Sequence, residues 1–146
     1  MIMKIEELSI GNYIKRKPYY NHENGDICKV LGLNKEQADF VLTDKKGWEN
    51  MWGNLNNFEP VYIKDVIDKL GFKKVTDGGF DYYQIFSDYY ADIRMEEFET
   101  GLGHYVIKAT AINDEFNFPS EIIITSQLHD LQNFLTKTQI NIKIEL

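Results

Sequence analysis

Three histidines, one cysteine and an acidic, tyrosine-rich stretch are the residues of this 146-residue chain whose types could support chemistry. His22, His104 and His129 are far apart, and none has a second His or Cys at the spacing of a zinc site. His129 is followed by Asp130, but neighbours on a helix point in different directions and make a poor base and orienter. His129 is therefore expected on a helix surface or at an interface. Gly101-Leu102-Gly103 lacks the third glycine and the Lys-Ser/Thr of a phosphate loop and precedes a strand, so it reads as a hairpin turn. No Gly-x-Ser-x-Gly elbow occurs. Strand alternation sends Glu96 to one face and Glu97 and Glu99 to the other, a poor geometry for a divalent cation. From these residues we expect no catalytic residue, no metal, no cofactor and no enzymatic activity.

Binding chemistry is easier to find. Between residues 80 and 98, Phe80, Tyr82, Tyr83, Phe86, Tyr89, Tyr90 and Phe98 alternate with acids. Period-two alternation assigns Tyr89, Ala91, Ile93 and Met95 to a core face and Tyr90, Asp92, Arg94 and Glu96 to an exposed stripe. Tyrosine and arginine bring large contact area with a polar end, so the stripe is the first candidate for partner binding, and its acids favour a basic surface of a protein or nucleoprotein. The alternative site is Lys15, Arg16, Lys17 and Tyr19, where cations and aromatics could pair phosphates and stack bases of a nucleic acid. Trp48 and Trp52, four apart in a strand, would share a face and are assigned to the core. A small enzyme with a site scattered along the sequence is the third class.

Charge separates these readings. The formal charge is −7. Residues 1–60 carry eight basic and nine acidic side chains, a net −1, and residues 61–146 carry eight and fourteen, a net −6. Affinity for phosphates comes largely from Lys and Arg releasing counterions, so the second half is a poor nucleic-acid binder. The single cysteine, Cys28, lies in an apolar run and reads as a buried, inert thiol. With no signal-like or membrane-spanning apolar run, the expectation is a cytoplasmic protein without membrane contact.

The elements that must position these residues are short. Glycine and asparagine turns cut residues 1–60 into four or five strands near 10–16, 27–33, 38–43 and 48–52, suggesting a small SH3-like β-barrel. Ile63, Val66, Ile67 and Leu70 recur at helical spacing before a capping Gly71. Turns at 76–79, 87–88, 99–103 and 113–115 then delimit strands near 72–76, 80–86, 89–98, 104–112 and 120–125, an antiparallel meander. Leu128, Leu131, Phe134 and Leu135 form the apolar stripe of a second helix over 127–137, and the alternation at 140–144 admits a C-terminal strand. The fold class is α+β: an SH3-like subdomain over 1–60, then an α-β(5)-α subdomain over 61–146.

Leu8, Ile10, Gly11, Asn12 and Tyr13, then Glu59, Pro60, Leu70, Gly71 and Phe72, then His129, Leu131, Gln132 and Asn133 together resemble the motifs of a family of small uncharacterised proteins from Bacteroidota genomes, phages and prophages. The resemblance spans both subdomains and leaves the middle strands unmatched. It implies no catalytic residue. It implies a setting of mobile elements, where small acidic proteins often bind a host protein, with inhibition of a defence system such as a CRISPR nuclease as one form of that activity.

Overall fold

The computed structural model describes residues 3–18, 25–36, 39–44, 50–87, 91–98, 103–111, 121–138, 140 and 142–146. The protein is α+β, and the described residues form two five-stranded antiparallel sheets and two short helices. It divides into two compact units, Met1–Val61 with Gln127–Asn133, and Tyr62–Ser126 with Phe134–Leu146.

In the first unit, β1 (Tyr13–Arg16), β2 (Ile27–Asn34), β3 (Phe40–Thr43) and β4 (Met51–Asn54) form a meander, and a 3-10 turn, Leu55–Asn57, leads into β5 (Phe58–Pro60). Asn54 caps that turn by accepting the Asn56 N–H through its side chain. The strand β5 returns to pair with β1, giving the order β4-β3-β2-β1-β5. A register shift between Val30 and Gly32 bends β2, so one half pairs with β1 and the other with β3. Ile14, Cys28, Val30, Val41, Leu55 and Phe58, with Met3, Ile5 and Leu8 of the entry segment, form the core. β4 and β5 remain the two edges of this sheet among the described residues, in place of the closed barrel expected over 1–60.

The motif residues at the two ends of the sequence meet in this unit. Asn12 is buried; its Oδ1 accepts the Ser9 N–H at 2.8 Å, and its Nδ2 donates to Asn133 Oδ1 at 2.9 Å. Asn133 Nδ2 in turn donates to the Glu7 carbonyl at 2.7 Å. Gln132 accepts the Tyr13 N–H at 2.8 Å and donates to the Gly11 carbonyl at 3.1 Å. Gly11 sits at φ +95°, which a side chain would strain, and this turn aims the carbonyl and Asn12 at the helix. The Ile-Gly-Asn-Tyr and Leu-Gln-Asn segments thus form a clamp that ties residues 7–13 to the first turns of the second helix.

In the second unit, β6 (Lys73–Asp77), β7 (Phe80–Ser87), β8 (Ala91–Glu97), β9 (Tyr105–Ala111) and β10 (Glu121–Thr125) pair in sequence order. Gly78 and Gly79, both at positive φ, turn β6 into β7. Ile93 and Met95 of β8 and Ile107 and Ala109 of β9 are fully buried on one face. Burying a side chain such as Ile93, Met95 or Ile107 stabilises the unit by about 1.5–3 kcal/mol each. α1 (Ile63–Val66) buries Ile63 and Val66. It gives way at Val66 to a 3-10 turn, Ile67–Lys69, where the sequence suggests one helix to residue 70; three β-branched residues in five positions make a weak helix. Gly71, at φ +82°, ends it as expected and faces Ile85 of β7.

Gln127 and the part of α2 (Leu128–Lys137) up to Asn133 belong to the first unit, and the chain from Phe134 belongs to the second. No strand forms among the described residues after α2, although Ile140 and Ile144 are buried. Ile140 and Ile144 are thus buried without a ladder among the described residues. Among the described residues no helix is long and apolar enough to cross a membrane.

Candidate functional site

In the first unit, Arg16, Lys17 and Pro18 at the end of β1, Thr43 of β3, Met51, Trp52 and Gly53 of β4, Asn57 of the 3-10 turn and Phe58 of β5 line an open cavity of about 620 Å³. Local structure explains the assembly. β5 runs beside β1, and the Lys17 N–H donates to the Asn57 carbonyl at 2.9 Å, which draws the basic end of β1 to the turn. Arg16 donates from Nη2 to the hydroxyl of buried Thr43 at 3.2 Å, and its guanidinium lies 6.0 Å from the Phe58 ring centre. The cation is held in place by a neutral acceptor and an aromatic face, which leaves its charge available to a ligand. Trp52 is 51% exposed, and its Cη2 would lie 3.2 Å from a Cβ at position 32, so Gly32 makes the seat for the indole. Met51 beside it is also exposed. The cavity offers a large apolar wall with two cations at one side, the composition of a site for a ligand that is both apolar and anionic.

Strand spacing assigns Trp52 to the core with Trp48. It instead stands half in solvent at this cavity, because β4 is an edge strand; Trp48 lies outside the described residues. Of the basic candidates, Arg16 and Lys17 line the cavity, whereas Lys15 pairs with Glu59 at 3.8 Å across the β1–β5 ladder. Tyr19 lies outside the described residues.

The acidic stripe is in the second unit. Tyr90 lies outside the described residues. Asp92 is 8% exposed; it accepts from Gln84 Nε2 at 2.8 Å and pairs with Arg94 Nε at 3.0 Å. The Asp92 hydrogen bond holds the Arg94 guanidinium above its ordinary pKa, and the same guanidinium lies 5.0 Å from the Tyr82 ring centre. Arg94 and Glu96 are exposed and line a cavity of about 320 Å³ with Val106, Lys108 and Thr110. Lys108 is the register partner of Arg94. The exposed part of the stripe is thus mixed in charge: its most central acid is shielded, and a lysine from the next strand stands beside it.

Two further residues of chemical interest are buried. Burial pushes the Cys28 thiol up against the opposing pull of nearby Arg16 and Thr43, so it resists ionisation. His129, expected on a helix surface or at an interface, has no solvent exposure. Its Nε2 lies 3.6 Å from both Glu7 Oε2 and Asp130 Oδ1, and neither ring nitrogen makes a hydrogen bond among the described residues. Asp130 thus comes near the ring without a hydrogen bond to it. Among the described residues no three His, Cys, Asp or Glu side chains gather to hold a metal ion.

No family model, no curated protein and no solved structure matches the chain.

Proposed function

We propose that this chain is a non-catalytic protein-binding module, and that its first unit recognises an extended peptide segment carrying a carboxylate beside a large apolar or aromatic side chain. The observation that carries this reading is the cavity in which exposed Trp52 and Met51 face Arg16 and Lys17. An indole wall supplies contact area at low entropic cost, and a guanidinium already fixed by Thr43 loses little freedom on taking a carboxylate. The five-stranded meander that bends at its second strand and returns its last strand to its first supports the finer assignment of this unit to the SH3-like class. The recognition chemistry moves accordingly from the acidic stripe of β8 to the basic and aromatic end of β1, and from a basic partner surface to an acidic one.

The test is selection of a random peptide library on the immobilised full chain, with titration of the enriched peptides. Enrichment of acidic-aromatic segments whose affinity falls at least tenfold in Trp52→Ala and in Lys17→Glu, at unchanged melting temperature, supports the site. Peptides that bind both variants as tightly as the original chain would remove it.

A second reading places single-stranded nucleic acid in the same cavity, favoured by the exposed indole next to two cations. Two phosphate contacts give a slope of log K against log salt of about −1.4. A titration with oligonucleotides at low salt that shows this slope and a loss in Trp52→Ala would select it over the peptide.

A further inference from the structure

The hairpin of β6 and β7 ends in an exposed tip. Lys73 and Asp77 on one face of β6 and Lys74 and Thr76 on the other are all exposed. Gly78 and Gly79, at φ +59° and +87°, make a two-residue turn, the mirror image of a type I turn, that matches the twist of the two strands. A Cβ at either glycine would meet no atom within 4 Å, so the turn projects into open space. Phe80, the first residue of β7, is 77% exposed, more than any other large apolar side chain among the described residues. The register sets Asp77 directly opposite it, which puts carboxylate and ring side by side with their Cβ atoms about 5 Å apart. Behind the tip, the Thr76 hydroxyl donates to Asp81 Oδ1 at 2.6 Å and Lys74 pairs with the same carboxylate at 3.7 Å, which fastens the two strands together.

An aromatic ring beside a carboxylate is the ligand chemistry of the cavity in the first unit, where exposed Trp52 and Met51 face Arg16 and Lys17. We infer that Asp77 and Phe80 at the tip of this hairpin dock in that cavity of a second copy of the chain; the inference rests on the peptide-binding reading of the cavity and names its occupant. Charge supports the pairing. Among the described residues Arg16, Lys17 and Asp77 have no ion pair of their own, so docking joins unmatched charges of opposite sign. Phe80 lies against the indole and Met51, while the Asp77 carboxylate meets the guanidinium that Thr43 already holds. The turn is formed before docking, so little chain is ordered on association. The occupant is a copy of this chain because both halves of the match stand on one sequence. A tip and a cavity are different surfaces, so the contact is heterologous, and a chain engaged at one keeps the other free for a further copy.

The test is sedimentation equilibrium of the full chain from low micromolar to submillimolar concentration. The mass should rise with concentration above that of one 17.1 kDa chain. Phe80→Ala, which removes the tip, and Trp52→Ala, which removes the wall of the cavity, should each stay monomeric. Their equimolar mixture should form a dimer and nothing larger, since one chain then supplies only a cavity and the other only a tip. Circular dichroism melts matching the original chain show that each variant is folded, and Lys17→Glu serves as a second cavity variant in the same mixture. A monomeric original chain, a Phe80→Ala chain that associates as the original does, or mixtures that stay monomeric while the original chain associates each overturns the proposal. Acidic-aromatic peptides are titrated in parallel on Phe80→Ala, whose cavity is unaltered. Peptide binding there beside a monomeric original chain overturns self-docking and leaves the peptide reading standing; no peptide binding removes both.

Discussion

Replacing Asn12 by alanine should measurably destabilise the first unit, although Asn12 does not line the candidate cavity. The side chain makes two hydrogen bonds, accepting from Ser9 N–H and donating to Asn133 Oδ1. Each contributes about 0.5–1.5 kcal/mol, and an orphaned buried group costs about 1–3 kcal/mol more. Ser9 is exposed and Asn133 partly exposed, so both freed groups can turn to water and no buried orphan remains. The total is about 1–3 kcal/mol, which for a chain of this length lowers the melting temperature by roughly 3–10 °C. Asn12→Asp should fare no better. A carboxylate keeps the bond from Ser9 but opposes Asn133 Oδ1, and Asn133 cannot flip without losing its bond to the Glu7 carbonyl. The assay is urea unfolding followed by circular dichroism on Asn12→Ala, Asn133→Ala and the double variant. A coupling energy of about 0.5–1.5 kcal/mol between the two sites is expected. A loss below about 0.5 kcal/mol for Asn12→Ala, or strictly additive effects, would refute the clamp.

Asp92→Lys should destabilise the second unit by about 2–4 kcal/mol in the same urea assay, because it sets a poorly solvated ammonium against Arg94 and strips Gln84 of its acceptor; a change under about 0.5 kcal/mol would mean that Asp92 is solvated. His129→Leu should leave stability unchanged or raise it by about 1 kcal/mol, since it removes two buried nitrogens without hydrogen-bond partners; a clear loss in thermal melts would show that the approach of Glu7 and Asp130 outweighs that burial. Stability should decline above about pH 9. Burial raises both Cys28 and Tyr105, with the Glu97 charge adding to the second, so the unfolded chain ionises first and the contribution present below the unfolded pKa is lost as pH rises. Tyr105→Phe should flatten that decline in urea midpoints measured across the alkaline range, and an unchanged slope would reject the assignment. Native Cys28 should react with a thiol reagent only as fast as the first unit opens, and prompt labelling of the folded chain would contradict its burial.

Local sequence determined most of the elements. Period-two alternation in Ile93 and Met95 marked the buried face of β8, because a strand's pleat is itself a local property. The glycines of the turns placed the meander for the same reason, and Gly71 ended α1 where a left-handed residue was needed. The Asn12 and Gln132-Asn133 motifs were legible as motifs, but their meaning was not: only folding brings residues 121 positions apart within 2.9 Å. Arg16 and Lys17 stood out as a charged run, whereas Trp52 read as core. What decided otherwise was the return of β5 to β1, a non-local pairing that leaves β4 at an edge and opens the indole to solvent beside those cations. Asp92 shows the opposite outcome. Alternation put it on the outward face, and the neighbouring strand's Gln84 together with Arg94 then covered it. Alternation sets which side of a sheet a residue takes; how exposed it is depends on the side chains that adjacent strands bring alongside.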